Sequence, residues 1–286
     1  MSGAVRLCYA VASPDVPAMP IAWVGPPAGM LTRLAELGYQ GVEVQLRDPA
    51  AFDTAAYDDL LRRTGLRLAS VSTGPVAQEG LSLTAADPAV REAAVERLLD
   101  VLDYAGERGA SVAVGSIRGR SGPVGDRERT VAVLRRSLDP LVRRAADRGV
   151  RILVEPQSRT VSDLFTTVGE ALDFVAEYDP AVVALEVDTF HAAAEEPSVG
   201  AALVRAHRAG RLAHVHVADT NRTAPGGGHL PWAEVLGVLG ALGYRGWISV
   251  EAMQLPSSLA AATGAKRLLD TYAGLLSGEG GGAGAG

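Results

Sequence analysis

Four residues with metal-binding side chains lie at or beside the ends of short apolar segments, at nearly regular intervals. Separated by 33, 28 and 35 positions, they are Glu155, Asp188, His216 and Glu251. One strand with its crossover helix takes roughly 30 residues, so this spacing predicts that the four side chains recur at the same end of four successive parallel strands. Side chains that meet at one end of a parallel sheet can share a metal ion.

The whole chain continues this alternation. Short β-branched segments alternate with longer segments rich in alanine, leucine and arginine, a pattern typical of repeated strand and helix units. The predicted strands are 5–10, 41–46, 68–72, 111–116, 152–155, 182–188, 212–217 and 247–251. The clearest predicted helices are 53–63, 87–108, 127–148 and 232–242. Eight such units predict a single (β/α)8 TIM barrel, and 286 residues suit one domain of this kind.

The predicted barrel occupies residues 1–277. Residues 278–286 are almost entirely glycine and alanine, and we expect this tail to be disordered. The segment 10–27 has four prolines before Pro27 and little periodicity. It is expected to form a long loop after the first strand that can cover the barrel mouth.

The composition narrows the choice of partners. With 33 acidic and 27 basic residues, the chain has a net charge of -6. This charge does not favour binding to nucleic acid or to an acidic membrane surface. No stretch approaches the roughly 18 uninterrupted apolar residues of a membrane span, and we expect no secretion signal. Cys8 is the only cysteine, which fits a reducing compartment. The sequence therefore predicts a cytoplasmic protein that binds a small molecule.

The four recurring residues form an oxygen-rich donor set with one nitrogen. Such a set suits Mn²⁺, Co²⁺ or Mg²⁺ and is less typical of a structural zinc site. Alternatively, each carboxylate could simply cap the helix after its strand, but four together at the spacing of barrel strands favour a metal. We expect one catalytic divalent ion, manganese first, with cobalt, magnesium or zinc as alternatives.

Several motifs resemble the xylose isomerase-like barrel superfamily of sugar isomerases and epimerases. They are LVEPQ, LEVDTFH, HVHVADTNR followed by PGGGHLPW, and ISVEAM. They are most similar to the D-tagatose and D-psicose 3-epimerase branch. The resemblance is good over strands five to eight and extends to the first half only in architecture. It also implies a homodimer or homotetramer formed through the outer helices.

This resemblance assigns roles to individual residues. It places the metal ligands on the four residues that were identified above by their spacing: Glu155, Asp188, His216 and Glu251. It also makes Glu155 and Glu251 the catalytic pair, one removing a proton from the substrate carbon and the other returning a proton to the opposite face. The substrate-binding residues it implies are His191 and Arg222.

One position departs from the pattern of the branch. Six residues after the first metal glutamate, where the branch has a substrate-binding glutamate, this chain has Val161. The change removes a hydrogen-bond acceptor for a sugar hydroxyl. It therefore disfavours a free ketohexose as the natural substrate and favours a substituted or less polar keto compound.

Other polar residues are predicted to lie deeper in the barrel. His214 and Glu186 each stand two positions before a proposed ligand, so they point to the same side of their strands. We expect His214 to be a core histidine with one hydrogen-bond partner, and Glu186 could be that partner. Glu43 and Gln45 on strand two, and Gln157 after strand five, could either form an internal hydrogen-bond network or support the site.

Two further segments leave alternatives open. The run 225–228 can be a turn that orients Arg222, which we favour, or a place where backbone amides approach a phosphate. Arg118 and Arg120, just after strand four, are expected to face the barrel mouth. There they could bind an anionic or hydroxylated part of a substrate, or simply be solvated.

The predicted function is a divalent-metal-dependent epimerase or isomerase of a keto-sugar or related polyhydroxylated carbonyl compound, acting through a metal-stabilised enediolate and two glutamate bases. The alternative is a lyase or dehydratase acting on a keto-sugar, keto-inositol or 3-keto-glycoside. An abasic-site endonuclease of the same superfamily would need further histidines, but strands three and four end in 71–73 and 116–118, which contain none. A non-catalytic scaffold is disfavoured by the pair Glu155 and Glu251.

Overall fold

Eight parallel strands close into one barrel in the computed structural model, which describes residues 5–122 and 126–277. Each strand pairs with its neighbour in the sequence, and the first closes on the last. The strands are β1 (Arg6–Ala12), β2 (Gly41–Gln45), β3 (Arg67–Ser72), β4 (Ser111–Val114), β5 (Ile152–Val154), β6 (Val183–Asp188), β7 (Leu212–Val217) and β8 (Trp247–Val250). The predicted (β/α)8 barrel is confirmed. The predicted disorder of 278–286 falls outside the described residues, and the bounds 1–277 stay a prediction.

The helices surround the barrel. They are α1 (Pro27–Glu36), α2 (Thr54–Thr64), α3 (Gly74–Gln78), α4 (Pro88–Gly106), α5 (Arg127–Arg148), α6 (Val168–Val175), α7 (Thr189–Glu195), α8 (Val199–Arg208), α9 (Trp232–Ala241), α10 (Ser258–Thr271) and α11 (Ala273–Ser277). Several begin at aspartates whose side chains accept a backbone N–H of the first turn, among them Asp53, Asp87 and Asp126. In the described part of the chain, none of the helices has the length and apolarity needed to cross a bilayer.

Strand alternation divides apolar residues from polar ones. From β2, β6, β7 and β8, the buried residues that join the main apolar core are Val42, Val44, Val183, Leu185, Val187, Val215, Val217, Ile248 and Val250. Successive residues of a strand face opposite sides, so the intervening residues point into the barrel. These include Glu43, Gln45, Glu186, Asp188, His214 and His216. The barrel interior therefore carries titratable groups.

The amino end of the barrel is plugged by apolar side chains. Trp247 packs there with Cys8 and Ala69. Gly41 makes room for the indole ring, because a β-carbon at this position would lie 2.8 Å from the ring of Trp247 and 2.6 Å from the carbonyl oxygen of Arg67. This packing leaves the carboxyl end of the barrel to hold the cavity described below.

The long loop after β1 lies over the barrel mouth, as predicted. Strand β1 runs two residues further than expected, to Ala12, and the loop then covers 13–26. Trp23 is tied back to the strand, since its N–H donates to Ala10 and its carbonyl accepts from Ala12, at 3.0 and 2.9 Å. Met19 and Ile21 of this loop line the cavity at the mouth.

Candidate active site

A cavity of about 450 Å³ opens at the carboxyl ends of the strands. Its polar lining includes Glu155, His216 and Glu251, and its apolar lining includes Met19 and Phe190. Ligand sites in proteins usually enclose roughly 300–1,000 Å³. The cavity is therefore large enough for a sugar-sized molecule, and it lies where the active sites of such barrels are found.

The four residues first identified from their spacing converge beneath this cavity. His216 Nδ1 lies 3.4 Å from Glu251 Oε2 and 4.0 Å from both Glu155 Oε1 and Asp188 Oδ2. One donor atom from each residue lies within 4.8 Å of the others, and all four residues are buried. We call this group the upper centre. Within the described part of the chain, Glu155 Oε1 and His216 Nδ1 have no hydrogen-bond partner, so the buried set fits a divalent cation.

The other nitrogen of His216 faces a second carboxylate. Nε2 lies 2.8 Å from Glu43 Oε2, and Glu43 also accepts hydrogen bonds from Ser70 Oγ and Ser72 Oγ, both at 2.7 Å. A cation held at Nδ1 would leave the ring proton on Nε2, where its donation to Glu43 would fix the orientation of the ring. Burial lowers the pKa of His216, but the carboxylates of Glu186 and Glu43 outweigh it and raise the pKa well above its ordinary value.

Each of the two glutamates of the upper centre is bonded to a glutamine side chain. Burial and then the neighbouring charge of Glu251 raise the pKa of Glu155 to about 8. Gln157 Nε2 donates to Glu155 Oε2 at 2.7 Å, and Gln45 Nε2 donates to Glu251 Oε1 at 2.7 Å. Each carboxylate thus has one oxygen fixed by an amide and the other directed toward the centre. Without a cation, Glu155 therefore holds its proton at neutral pH.

Arg222 is held at the edge of the upper centre by an unusual backbone. Its φ of 61° lies in the left-handed region, its N–H donates to Asp219 O at 2.8 Å, and its carbonyl accepts from Met253 N at 2.7 Å. The guanidinium donates to Asp188 Oδ2 at 2.6 Å and pairs with Glu251. Burial disfavours the charged form of Arg222, but the carboxylates raise its pKa. Burial alone would raise the pKa of Asp188, but the positive charges around it, that of the same guanidinium first, lower the pKa below its ordinary value.

His191 is placed as a neutral hydrogen-bond donor. The N–H of Ser158 donates to His191 Nδ1 at 3.2 Å, so the ring proton lies on Nε2. This Nε2 is 3.7 Å from Glu155 Oε1, and the ring lines the cavity. Burial lowers the pKa of His191 to about 4. At neutral pH the side chain therefore presents an uncharged N–H near the centre.

The carboxylate nearest to the deeper histidine differs from the prediction. His214 Nε2 lies 3.1 Å from Glu43 Oε2 but 4.0 Å from Glu186 Oε2. Glu43 is nearer because it reaches across the barrel from β2, where the hydroxyl groups of β3 hold it. Both residues, with Glu186, are buried. They form a layer directly below the upper centre.

The prediction that Arg118 faces the barrel mouth is wrong. Its side chain is 0% exposed, and Nε and NH1 donate to the carbonyls of Leu164 and Gly115, each at 3.0 Å. Arg118 therefore joins two loops from within. Arg120 is exposed and donates to Val161 O at 3.0 Å.

The run 225–228 forms the turn that we favoured. Gly226 N donates to Asp219 Oδ2 at 2.9 Å, and Gly227 N donates to Ala224 O at 3.0 Å. These amides are engaged within the loop, which weakens the interpretation of the run as a phosphate site.

Asp219 is an important residue that sequence reasoning missed. Besides Gly226 N, its carboxylate accepts Leu230 N at 3.0 Å and Trp232 Nε1 at 2.8 Å. These bonds shape the loop that carries Arg222. The sequence feature that could have identified Asp219 is its place ahead of a glycine-rich turn, where an aspartate commonly bonds to nearby backbone amides.

A closed parallel barrel with buried carboxylates and an imidazole at the carboxyl ends of its strands defines the class of protein. Over residues 31–271, the chain matches the sequence profile of the xylose isomerase-like TIM barrel. It belongs to this family, as its motifs predicted.

Several characterised enzymes are similar to the chain. L-ribulose 3-epimerase from Methylomonas sp. (strain DH-1) is 31% identical over 224 residues, which cover 76% of this chain and 75% of that protein. D-psicose 3-epimerase from Ruminiclostridium cellulolyticum is 28% identical over 233 residues, or 77% and 76% of the two chains. 3-Dehydro-D-guloside 4-epimerase from Escherichia coli (strain K12) is 30% identical over 166 residues, or 55% and 61%. The predicted enzyme class of isomerases and epimerases is confirmed.

A solved structure supports the fold. The crystal structure of D-psicose 3-epimerase with D-tagatose from Clostridium cellulolyticum H10 matches with a TM-score of 0.78 at 21% identity, covering 95% of this chain and 99% of that one. At this identity the likeness concerns the fold alone.

Proposed function

We propose that the chain is a divalent-metal-dependent epimerase of a keto-sugar or a related polyhydroxylated carbonyl compound. The observation that carries this proposal is the convergence of Glu155 and Glu251 on one cavity, together with Asp188 and the imidazole of His216. The ketose 3-epimerases among its relatives support the reaction class. For the ion we propose Mn²⁺, because three carboxylates and one imidazole form an oxygen-rich set.

The proposed reaction inverts one carbon beside a carbonyl group. A divalent cation held by the upper centre would supply Lewis acidity, which makes that carbon acidic enough for a carboxylate to remove its proton. Glu155 and Glu251 then act from opposite faces: one takes the proton and the other returns a proton.

Two further residues are proposed to orient the substrate. His191 offers a neutral N–H beside Glu155, and Arg222 offers a guanidinium that is already fixed by Asp188 and Glu251. Both are donors, so both suit the hydroxyl and carbonyl oxygens of a sugar. Gln45 and Gln157 keep the two glutamates aligned.

The cavity wall favours a substituted sugar over a free ketohexose. Val161, Met19, Ile21 and Phe190 give part of the wall an apolar surface, and Val161 stands where the epimerase branch has a glutamate. We therefore propose a 3-keto-glycoside or similar substituted keto compound as the preferred substrate. The same wall supports the second candidate, a lyase or dehydratase acting on such a compound.

Exchange with D₂O tests the proposal. The Mn²⁺-loaded protein is incubated in D₂O with free ketohexoses and with 3-keto-glycosides, and the products are followed by NMR. Epimerisation places deuterium on the inverted carbon and leaves the connectivity unchanged. Elimination releases water or the aglycone and supports the second candidate. No exchange with any substrate, while the metal is demonstrably bound, would refute both.

The remaining expectations are also proposals. We propose that the chain forms a homodimer or homotetramer, and light scattering on the purified protein tests this. We propose the cytoplasm as the compartment because the only thiol, that of Cys8, is buried and unpaired.

A further inference from the structure

A second group of metal-ligating side chains lies directly below the upper centre. It consists of Glu43, Glu186, His214 and the Nε2 atom of His216, and we call it the lower cluster. One donor atom from each residue lies within 4.8 Å of the others, and all four residues are buried, with exposures of 0 to 2%. The proposed reaction uses none of the first three.

The donor spacing fits a small tetrahedral ion. Zinc binds nitrogen and oxygen at about 2.0–2.1 Å, so two ligands of a tetrahedral zinc lie about 3.3 Å apart. His216 Nε2 lies 2.8 Å from Glu43 Oε2 and 3.3 Å from Glu186 Oε2. His214 Nε2 lies 3.1 and 4.0 Å from the same two oxygens. These distances lie on both sides of the required value, and small side-chain rotations would equalise them.

The lower cluster also contains polar atoms with no partner. In the described part of the chain, both carboxylate oxygens of Glu186 and the Nε2 atom of His214 lack a hydrogen bond. Glu43 accepts from the hydroxyl groups of Ser70 and Ser72, but among the residues that the structure describes none donates to Glu186 in this way. A buried carboxyl group without partners must either stay protonated or be compensated by a cation.

We propose that the lower cluster is a second metal site that binds a zinc-class divalent cation. Its two imidazoles and two carboxylates are richer in nitrogen than the upper centre, and imidazole ligands favour zinc. His216 faces the upper centre with Nδ1 and the lower cluster with Nε2. When both sites are filled, the ring loses its remaining proton to solvent and bridges the two ions as an imidazolate.

The second ion would stabilise the barrel. Its ligands come from β2, β6 and β7, so it would join strands on different sides of the interior. Binding to the folded state alone raises stability. It would also fix the ring of His216 without requiring a substrate, so the inference does not depend on the proposed function.

Metal content measured by mass spectrometry tests the inference. The full chain is produced with zinc and manganese and also refolded with both, because the lower cluster is enclosed. We expect two ions per wild-type chain, one zinc and one manganese. Glu186→Leu should retain only the manganese, and Asp188→Asn should retain only the zinc. Glu92→Leu, the same change at an exposed glutamate, should retain both.

Cobalt gives a second measurement. Tetrahedral Co²⁺ absorbs visible light far more strongly than octahedral Co²⁺, so the wild type and Asp188→Asn should show the strong bands and Glu186→Leu should lose them. His214→Gln is the second variant if Glu186→Leu does not fold. One ion per wild-type chain, unaffected by either lower-cluster variant, would overturn the inference. Because no turnover is measured, this result is separate from any failure of the proposed epimerase activity.

Discussion

Binding of Mn²⁺ at the upper centre should release protons, and the affinity should therefore rise with pH. Burial and the charge of Glu251 raise the pKa of Glu155 to about 8, so this carboxyl group is protonated at neutral pH in the metal-free protein. A metal ligand must be deprotonated. Below the pKa, each released proton makes the affinity increase about tenfold per pH unit. Glu155 alone therefore predicts a rise of about fiftyfold between about pH 6 and 8.

The metal affinity rises with pH because the pKa of Glu155 is raised. Raising the pH through the raised pKa of Glu155 removes the competing proton, so binding strengthens up to about pH 8, after which Glu155 adds no further increase. His216, whose pKa is also raised, adds to the slope in the same direction. Titration calorimetry in buffers of different ionisation enthalpy counts the protons released. The exposed-site variant Glu92→Leu should behave as the wild type. An affinity that stays constant from about pH 6 to 8 would contradict this account of Glu155.

Four further predictions concern single residues. Glu251→Gln should retain the fold but reduce kcat by about 10²–10⁴. The measurement is the rate at which deuterium from D₂O enters a keto-sugar that the wild type epimerises. Arg222→Lys should lower kcat/KM by about tenfold or more, since the compact ammonium of lysine cannot reproduce the planar fork that places separate nitrogens on Asp188 and Glu251, and unchanged kinetics would contradict its role. Val161→Glu should shift the kcat/KM ratio toward free ketohexoses by roughly tenfold, whereas Val161→Leu should not. Asp219→Asn should lower the free energy of unfolding by about 1–3 kcal/mol, measured by urea denaturation, and should reduce kcat/KM because the loop of Arg222 loosens.

The barrel and the upper centre could be predicted because both follow from a regular interval. In a parallel barrel each strand and helix unit returns the chain to the same end, so residues one unit apart meet there. This is why Glu155, Asp188, His216 and Glu251 converge although up to 96 residues separate them, from 155 to 251.

Contacts across the barrel could not be predicted in the same way. The carboxylate nearest to His214 is Glu43 of β2 rather than Glu186 of the adjacent strand, and this depends on how far a side chain reaches through the interior. Arg118 follows a strand end, but a turn directs it inward to carbonyl groups of two loops. The path of loop 13–26 depends on the pairing of Trp23 with β1, and no periodic pattern marks such an irregular segment.

One backbone hydrogen bond affects how the specificity of this barrel could be redesigned. Met253 N donates to Arg222 O at 2.7 Å, and Met253 stands two residues after Glu251. The segments that follow β7 and β8 are thus fastened to each other at the residue carrying the guanidinium. Replacing either segment alone, for example by transplanting it from a homologous enzyme, would displace the arginine and one glutamate together. The two should be exchanged as a single cassette.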